Sequence, residues 1–221
     1  MENCGFSVAP ALPEKVEELR SYLSGSAPWL PFEETNFSNY MDVWPEIAVN
    51  TVMQVGHNTL RLMAMGMEDR PPSDAELSHM QTMLEEGLDA GALGLSSGLF
   101  TAPGCYSAPE ELHALGSVLK KHEARYSSHV RDESHGVHEA VAEAIEVGET
   151  CGIHVQLAHM KLSGTDNWGK AQLLLDRIEA ARARGVDVHC DQYPYAWGTN
   201  PLRFLLPTWL QQGGMDWLLA R

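Results

Sequence analysis

Two histidines carry the first chemical hint. His129 closes Arg125-Tyr126-Ser127-Ser128-His129, and His159 closes Val155-Gln156-Leu157-Ala158-His159. Each segment reads as a short strand presenting its histidine at the carboxy-terminal tip. Imidazoles at the tips of neighbouring parallel strands point at one mouth, where they can share a metal ion. A catalytic zinc takes three protein ligands and keeps one position for water. Cys4, on a turn-like tip before Gly5, could supply the third ligand as a thiolate; on spacing alone a lone cysteine equally suits a small core position. Lys161 falls on the same side as His159 if the strand continues, and its ammonium suits an anionic part of a substrate better than a dication. A plain exposed lysine is the alternative. Tyr193 and Tyr195 flank Pro194 beyond the next strand and offer phenol donors at the same mouth, or aromatic packing under a loop. Asp191 fits a base or, better, an acceptor behind a metal-bound imidazole.

The elements that must position these groups follow from periodicity. Between the two histidines, Val137, Ala140, Val141, Ala144, Ile145 and Gly148 share one face at helical spacing over Gly136 to Cys151. Strand, helix, strand is a βαβ unit with two parallel strands. A helix is expected from Glu14 to Ser24, a Trp/Pro/Asn-rich loop from Pro28 to Asn36, and a further helix to about Ile47. Asn50 to Val55 reads as a strand running into a Gly56-His57-Asn58 loop. Ser73 to Glu76 and Ser107 to Glu110 are both read as capping boxes opening helices. Gly91 to Gly98 is a Gly-punctuated buried strand, Lys170 to Arg184 an amphipathic helix, and Val186 to Asp191 a strand before a loop and two short apolar helices. Strand tips near residues 56, 97, 129, 159 and 191 match serial βα units. The strands read as apolar on both faces, as in a helix-covered parallel sheet. A doubly wound open sheet is the alternative to a barrel, but no Gly-x-Gly-x-x-Gly follows a first strand to support a dinucleotide version.

At 221 residues the chain suffices for one α/β domain. Fifteen basic against 30 acidic residues give a net charge of −15, which argues against a nucleic-acid or anionic-membrane partner. The four cysteines form no regular framework and read as reduced thiols, so a cytoplasmic setting is expected. No leader is recognised, and no run approaches the ~20 apolar residues that a membrane span requires.

Six segments together resemble the N-acyl-D-amino-acid deacylases (D-aminoacylases) of the metal-dependent amidohydrolase superfamily. In order they are Asn3 to Pro10, Val55 to Arg61, Gly91 to Leu99, Tyr126 to Glu133, Leu157 to Lys161, and Asp191 to Tyr195. The resemblance implies a (β/α)8 TIM-type barrel that hydrolyses the amide of N-acyl-D-amino acids to a carboxylate and a free D-amino acid. It places a family zinc on Cys4, His129 and His159. It further implies that Lys161 and Tyr193 grip the substrate carboxylate, with Thr199 standing where the family has a serine.

The departures shape what is expected of the chain itself. The family's His-x-His pair should precede Cys4 and occurs nowhere here, and its catalytic aspartate should lie beyond Arg221. By that reading residues 1–221 hold the middle of the barrel, from about strand two or three to strand seven, without the β-sandwich domain or the first and last strands. Impaired activity is expected, and self-association through open barrel edges and an apolar inner face. Two alternatives stand beside it. A hydantoinase- or dihydroorotase-like cyclic-amide hydrolase shares the barrel but usually needs a lysine on the fourth strand, where this chain has Leu95-Ser96-Ser97-Gly98. A non-catalytic metal- or ligand-binding barrel fragment is the other.

Overall fold

In the computed structural model, which describes residues 4–28, 33–42, 46 and 48–220, strands and helices alternate along the chain. Helices α1 (Val16–Leu23) and α2 (Phe37–Asp42) precede β1 (Val55–Gly56), α3 (His57–Met65) and α4 (Asp74–Asp89). There follow β2 (Gly94–Gly98), α5 (Pro109–Lys121), β3 (Arg125–His129), α6 (Val137–Cys151) and β4 (Val155–Leu157). The chain then forms α7 (Ala171–Ala183), β5 (Val188–Cys190), α8 (Thr208–Gln211) and α9 (Gly214–Leu219). All five strands are parallel and lie side by side in chain order, β1-β2-β3-β4-β5. Consecutive neighbours joined by helices are the topology of a (β/α)8 barrel, here as an arc of five strands. No helix among the described residues is long and apolar enough to cross a membrane.

The register explains which face does what. Val55, Leu95, Tyr126, Val155 and Val188 form one row across the sheet, and all five are buried in the core. This row faces the helices: a Cβ on Gly87 of α4 would strike Val55, and one on Gly148 of α6 would strike Val155. Those glycines let helix and strand approach closely, and a methyl there forces a shift. The next row, Gly56, Ser96, Ser127, Gln156 and His189, points the other way because side chains alternate along a strand. The inner face is therefore polar, not apolar as expected. It works by hydrogen bonding, as when Ser127 Oγ donates to Gln54 Oε1 at 2.6 Å.

Local signals behaved unevenly. Ser73 caps α4 as expected: its hydroxyl accepts from the Glu76 N–H at 3.3 Å, and Glu76 accepts in return from the Ser73 N–H at 2.7 Å. The second capping box does not form. Pro109 begins α5, shifting the cap to Ala108, and Ser107 Oγ turns back to donate to the Gly104 carbonyl at 2.7 Å. Gly56-His57-Asn58 is no loop but the start of α3, of which only Ala64 is not fully buried. A helix buried on every side has no amphipathic period for the sequence to show. The expected helix to about Ile47 ends at Asp42; residues 43–45 and 47, like Asn3 and residues 29–32 of the Trp/Pro/Asn-rich loop, lie outside the described residues.

Candidate metal centre

Three elements deliver three donor groups to the carboxy-terminal end of the sheet. His129 is the last residue of β3, buried, with the Phe100 ring stacked on it at 3.8 Å between centroids. His159 lies two residues past the end of β4, in the left-handed region at φ 37°. Its backbone N–H donates to Asp191 Oδ1 at 2.7 Å, and the Met160 N–H donates to the Asp191 carbonyl at 2.8 Å. Asp191 thus supports the His159 backbone; the expected acceptor behind the imidazole ring is a different residue. Cys4 is also left-handed, at φ 66°. Non-glycine residues held at positive φ carry strain that the surroundings must offset, a condition that gathers at functional sites.

The surroundings of Cys4 are built for this. The Gly5 N–H donates to Ser96 Oγ at 3.2 Å, and the Asn58 N–H donates to the Gly5 carbonyl at 3.0 Å. The buried Asn58 side chain also clasps Gly98 in both directions, accepting from its N–H and donating to its carbonyl, each at 3.2 Å. A Cβ on Gly98 would sit 2.0 Å from the Cys4 carbonyl oxygen, so only glycine admits the Cys4 tip against β2.

The donor atoms converge. Cys4 Sγ lies 3.0 Å from His159 Nε2, and the His129 and His159 rings meet edge to face with centroids 4.3 Å apart. One ligand atom from each of the three lies within 4.8 Å of the other two. On its far side His159 Nδ1 faces Glu133 Oε1 at 3.3 Å and Lys161 Nζ at 3.0 Å. Glu133 Oε1 also approaches His129 Nε2 at 3.5 Å and forms an ion pair with Lys161. A sulfur and two imidazoles, one backed by a carboxylate, fit the donor set of a catalytic zinc site with an open position.

The two imidazoles differ in charge. Burial drives His129 down to about 3, so it is neutral and free to ligate. Burial pulls His159 down as well, but its contacts with Cys4 and Glu133 outweigh that and raise it to about 9. Burial pushes Glu133 up, yet His159, His129 and Lys161 hold it below the ordinary carboxylate range.

Cys4, His129, His159, Lys161, Tyr193 and Thr199 all line one cavity of about 530 Å³. Lys161 gets there without a continuing strand: β4 stops at Leu157, and the side chain folds back to donate to the His159 carbonyl at 3.0 Å. Its ammonium stands 5.4 Å from the centre of the Tyr193 ring. Thr199 and Tyr195 are exposed at the rim. The sequence reading assigned nothing to Glu133, Phe100 or Asn58. Glu133, four residues past His129, and Asn58, at the head of a buried helix, gave signals only as polar residues beside segments already singled out.

No family model matches the chain. It is 39% identical over 194 residues to N-acyl-D-glutamate deacylase, and 34% identical over 203 residues to D-aminoacylase, both from Alcaligenes xylosoxydans xylosoxydans. These alignments cover 87% and 91% of this chain but 39% and 41% of those proteins, so the chain spans about two fifths of their length. Among solved structures, a D-aminoacylase crystal structure said to define a novel subset of amidohydrolases aligns with a TM-score of 0.78 at 33% identity, over 89% of this chain and 41% of that one. N-acyl-D-glutamate deacylase from Bordetella bronchiseptica, solved with zinc and a phosphonate mimic of the tetrahedral intermediate, aligns at 0.75 and 35% identity, over 88% and 41%.

Proposed function

We propose, for a chain that belongs to the N-acyl-D-amino-acid deacylase (D-aminoacylase) family of the amidohydrolases, that its Cys4, His129 and His159 hold a zinc ion serving the hydrolysis of N-acyl-D-amino acids. The observation that carries this reading is the meeting of one thiol and two imidazoles at the strand ends, beside an ammonium, in one cavity. Zinc held there would polarise an amide carbonyl and bring the pKa of a water toward ~7.

The chain's own residues would bind and orient. Lys161, supported by Tyr193, would take the substrate carboxylate, which must compete with Glu133 for the ammonium. That anchoring fixes the scissile amide over the three donors, converting a bimolecular encounter into a positioned one. The Thr199 hydroxyl at the rim adds a softer contact to the same end. Glu133 orients the His159 ring through Nδ1, leaving Nε2 for the ion. Phe100 covers one face of His129 and keeps water from it.

Proton transfer is where this chain falls short of the full reaction. Among the described residues, no aspartate joins the Cys4–His129–His159 group. We take residues 1–221 as part of one barrel domain whose general base lies on a segment outside it, and expect little or no turnover from these residues alone. Among the described residues each outer strand of the sheet pairs on one side only, which favours association with another copy. Four free thiols suit a reducing, cytoplasmic setting.

The test is metal analysis of the purified 221-residue chain, with hydrolysis of N-acetyl-D-methionine compared against its L form. Zinc retained by the parent and lost from both Cys4→Ala and His159→Ala supports the site; unchanged zinc in both overturns it. Brisk D-selective turnover by the chain alone would overturn the account of the base. Size-exclusion chromatography reads the association directly, and a monomer at all concentrations would refute it.

A further inference from the structure

At the opposite end of the same strands stands a second cluster that the proposed hydrolysis does not use. His154 immediately precedes β4 and Asp187 immediately precedes β5, while His189 is the middle residue of β5. All three alternate with helix-facing residues (Val155 beside His154, Val188 between Asp187 and His189), so they share the inner face of the sheet. His154 precedes β4 and His159 lies two residues past its other end, so the whole strand separates them. The cluster is therefore separate from the Cys4 centre.

We infer that His154, Asp187 and His189 form a second divalent-cation site, suited to a first-row ion of the zinc, cobalt and nickel class. Two imidazoles and one carboxylate are the nitrogen and oxygen donors such ions take, and they leave positions open for water. Asp187 already engages both rings, one oxygen to each: Oδ2 lies 3.0 Å from His154 Nδ1, and Oδ1 3.3 Å from His189 Nε2. Donors about 2 Å from a tetrahedral ion lie roughly 3.3 Å from one another, so these separations are close to those of a filled site. One ligand atom from each residue lies within 4.8 Å of the other two, and the imidazoles stack with centroids 5.4 Å apart at 24°. Within residues 1–221 the side chains of Asp187 and His189 are 64% and 49% accessible, so an ion can reach them in this segment.

The experiment is zinc titration of the chelator-stripped, untagged chain, followed by calorimetry and by metal analysis after gel filtration. The parent is expected to saturate at two equivalents. His189→Ala and Asp187→Asn, both at exposed positions and checked by circular dichroism, are each expected to saturate at one. Cys4→Ala should lose the other equivalent and keep this one. With cobalt, the Cys4 centre should show thiolate-to-metal charge transfer, which His189→Ala should leave unchanged while one cobalt is lost. Zinc stoichiometry in both His189→Ala and Asp187→Asn equal to the parent's overturns the proposal, and loss of the equivalent only in Cys4→Ala does the same.

Discussion

Cys4 Sγ and His159 Nε2 lie 3.0 Å apart although 155 positions separate them in the chain. The contact joins a tip at the amino terminus to a loop beyond the fourth strand, and both residues are held at positive φ. Without an ion, this contact and the one to Glu133 together set the charge of His159.

That charge predicts how the centre responds to pH. His159 stands at about 9, above its ordinary ~6.5, so its contribution to stability is fully present below ~6.5 and is lost as pH rises through about 9. The metal-free chain should therefore lose denaturant resistance over that interval, and His159→Gln should flatten the loss. Zinc uptake must displace the same proton, so zinc affinity should rise at least ~tenfold per pH unit between ~6.5 and 9. Competition with a chromophoric chelator measures it, and a pH-independent affinity would contradict it.

Asn58 should matter to the metal although it touches none of the donors. Its amide fastens Gly98, and its backbone fastens Gly5, on either side of the Cys4 tip. Asn58→Ala leaves the buried Gly98 groups without those partners, at an expected cost of about 1–3 kcal/mol in chemical denaturation. Zinc affinity should fall about 10- to 100-fold, as when a supporting partner of a ligand is removed.

Gly98→Ala separates the site from the fold more sharply. The added methyl would lie 2.0 Å from the Cys4 carbonyl oxygen, so the Cys4 tip must shift away from β2. Zinc content should drop at least ~tenfold, as for other disrupted ligand supports, while α/β circular dichroism is kept. Retention of full zinc would show that Cys4 tolerates displacement.

Behind the sheet, Glu111 is buried between His57, at 2.6 Å, and the Arg61 guanidinium. Burial pushes its carboxyl up, but His57 and Arg61 outweigh this and keep it below its ordinary range. Its stabilisation is therefore present above ~4.3 and is lost on acidification below that. Glu111→Gln leaves Arg61 without its counter-charge and should cost about 3–5 kcal/mol at neutral pH. Its stability should then be flatter in acid than the parent's, which urea melts at pH 3 to 7 would show.

The family resemblance added Cys4, Lys161, Tyr193 and Thr199, while the residue pattern by itself determined the serial βα order and the strands that end near His129 and His159. These were legible because strand and helix periods are local and because parallel neighbours point their ends the same way. It did not determine α3, whose all-round burial erases its period, nor the polar inner row, since a buried strand reads alike whichever face its partners cover. Tertiary structure alone decided that Glu133 backs His159, that Asn58 and Gly98 hold Cys4 in place, and that His154, Asp187 and His189 meet at the far end. Each of those depends on register between strands tens of residues apart. Register is set by packing of the whole sheet against its helices, which no short window of residues encodes.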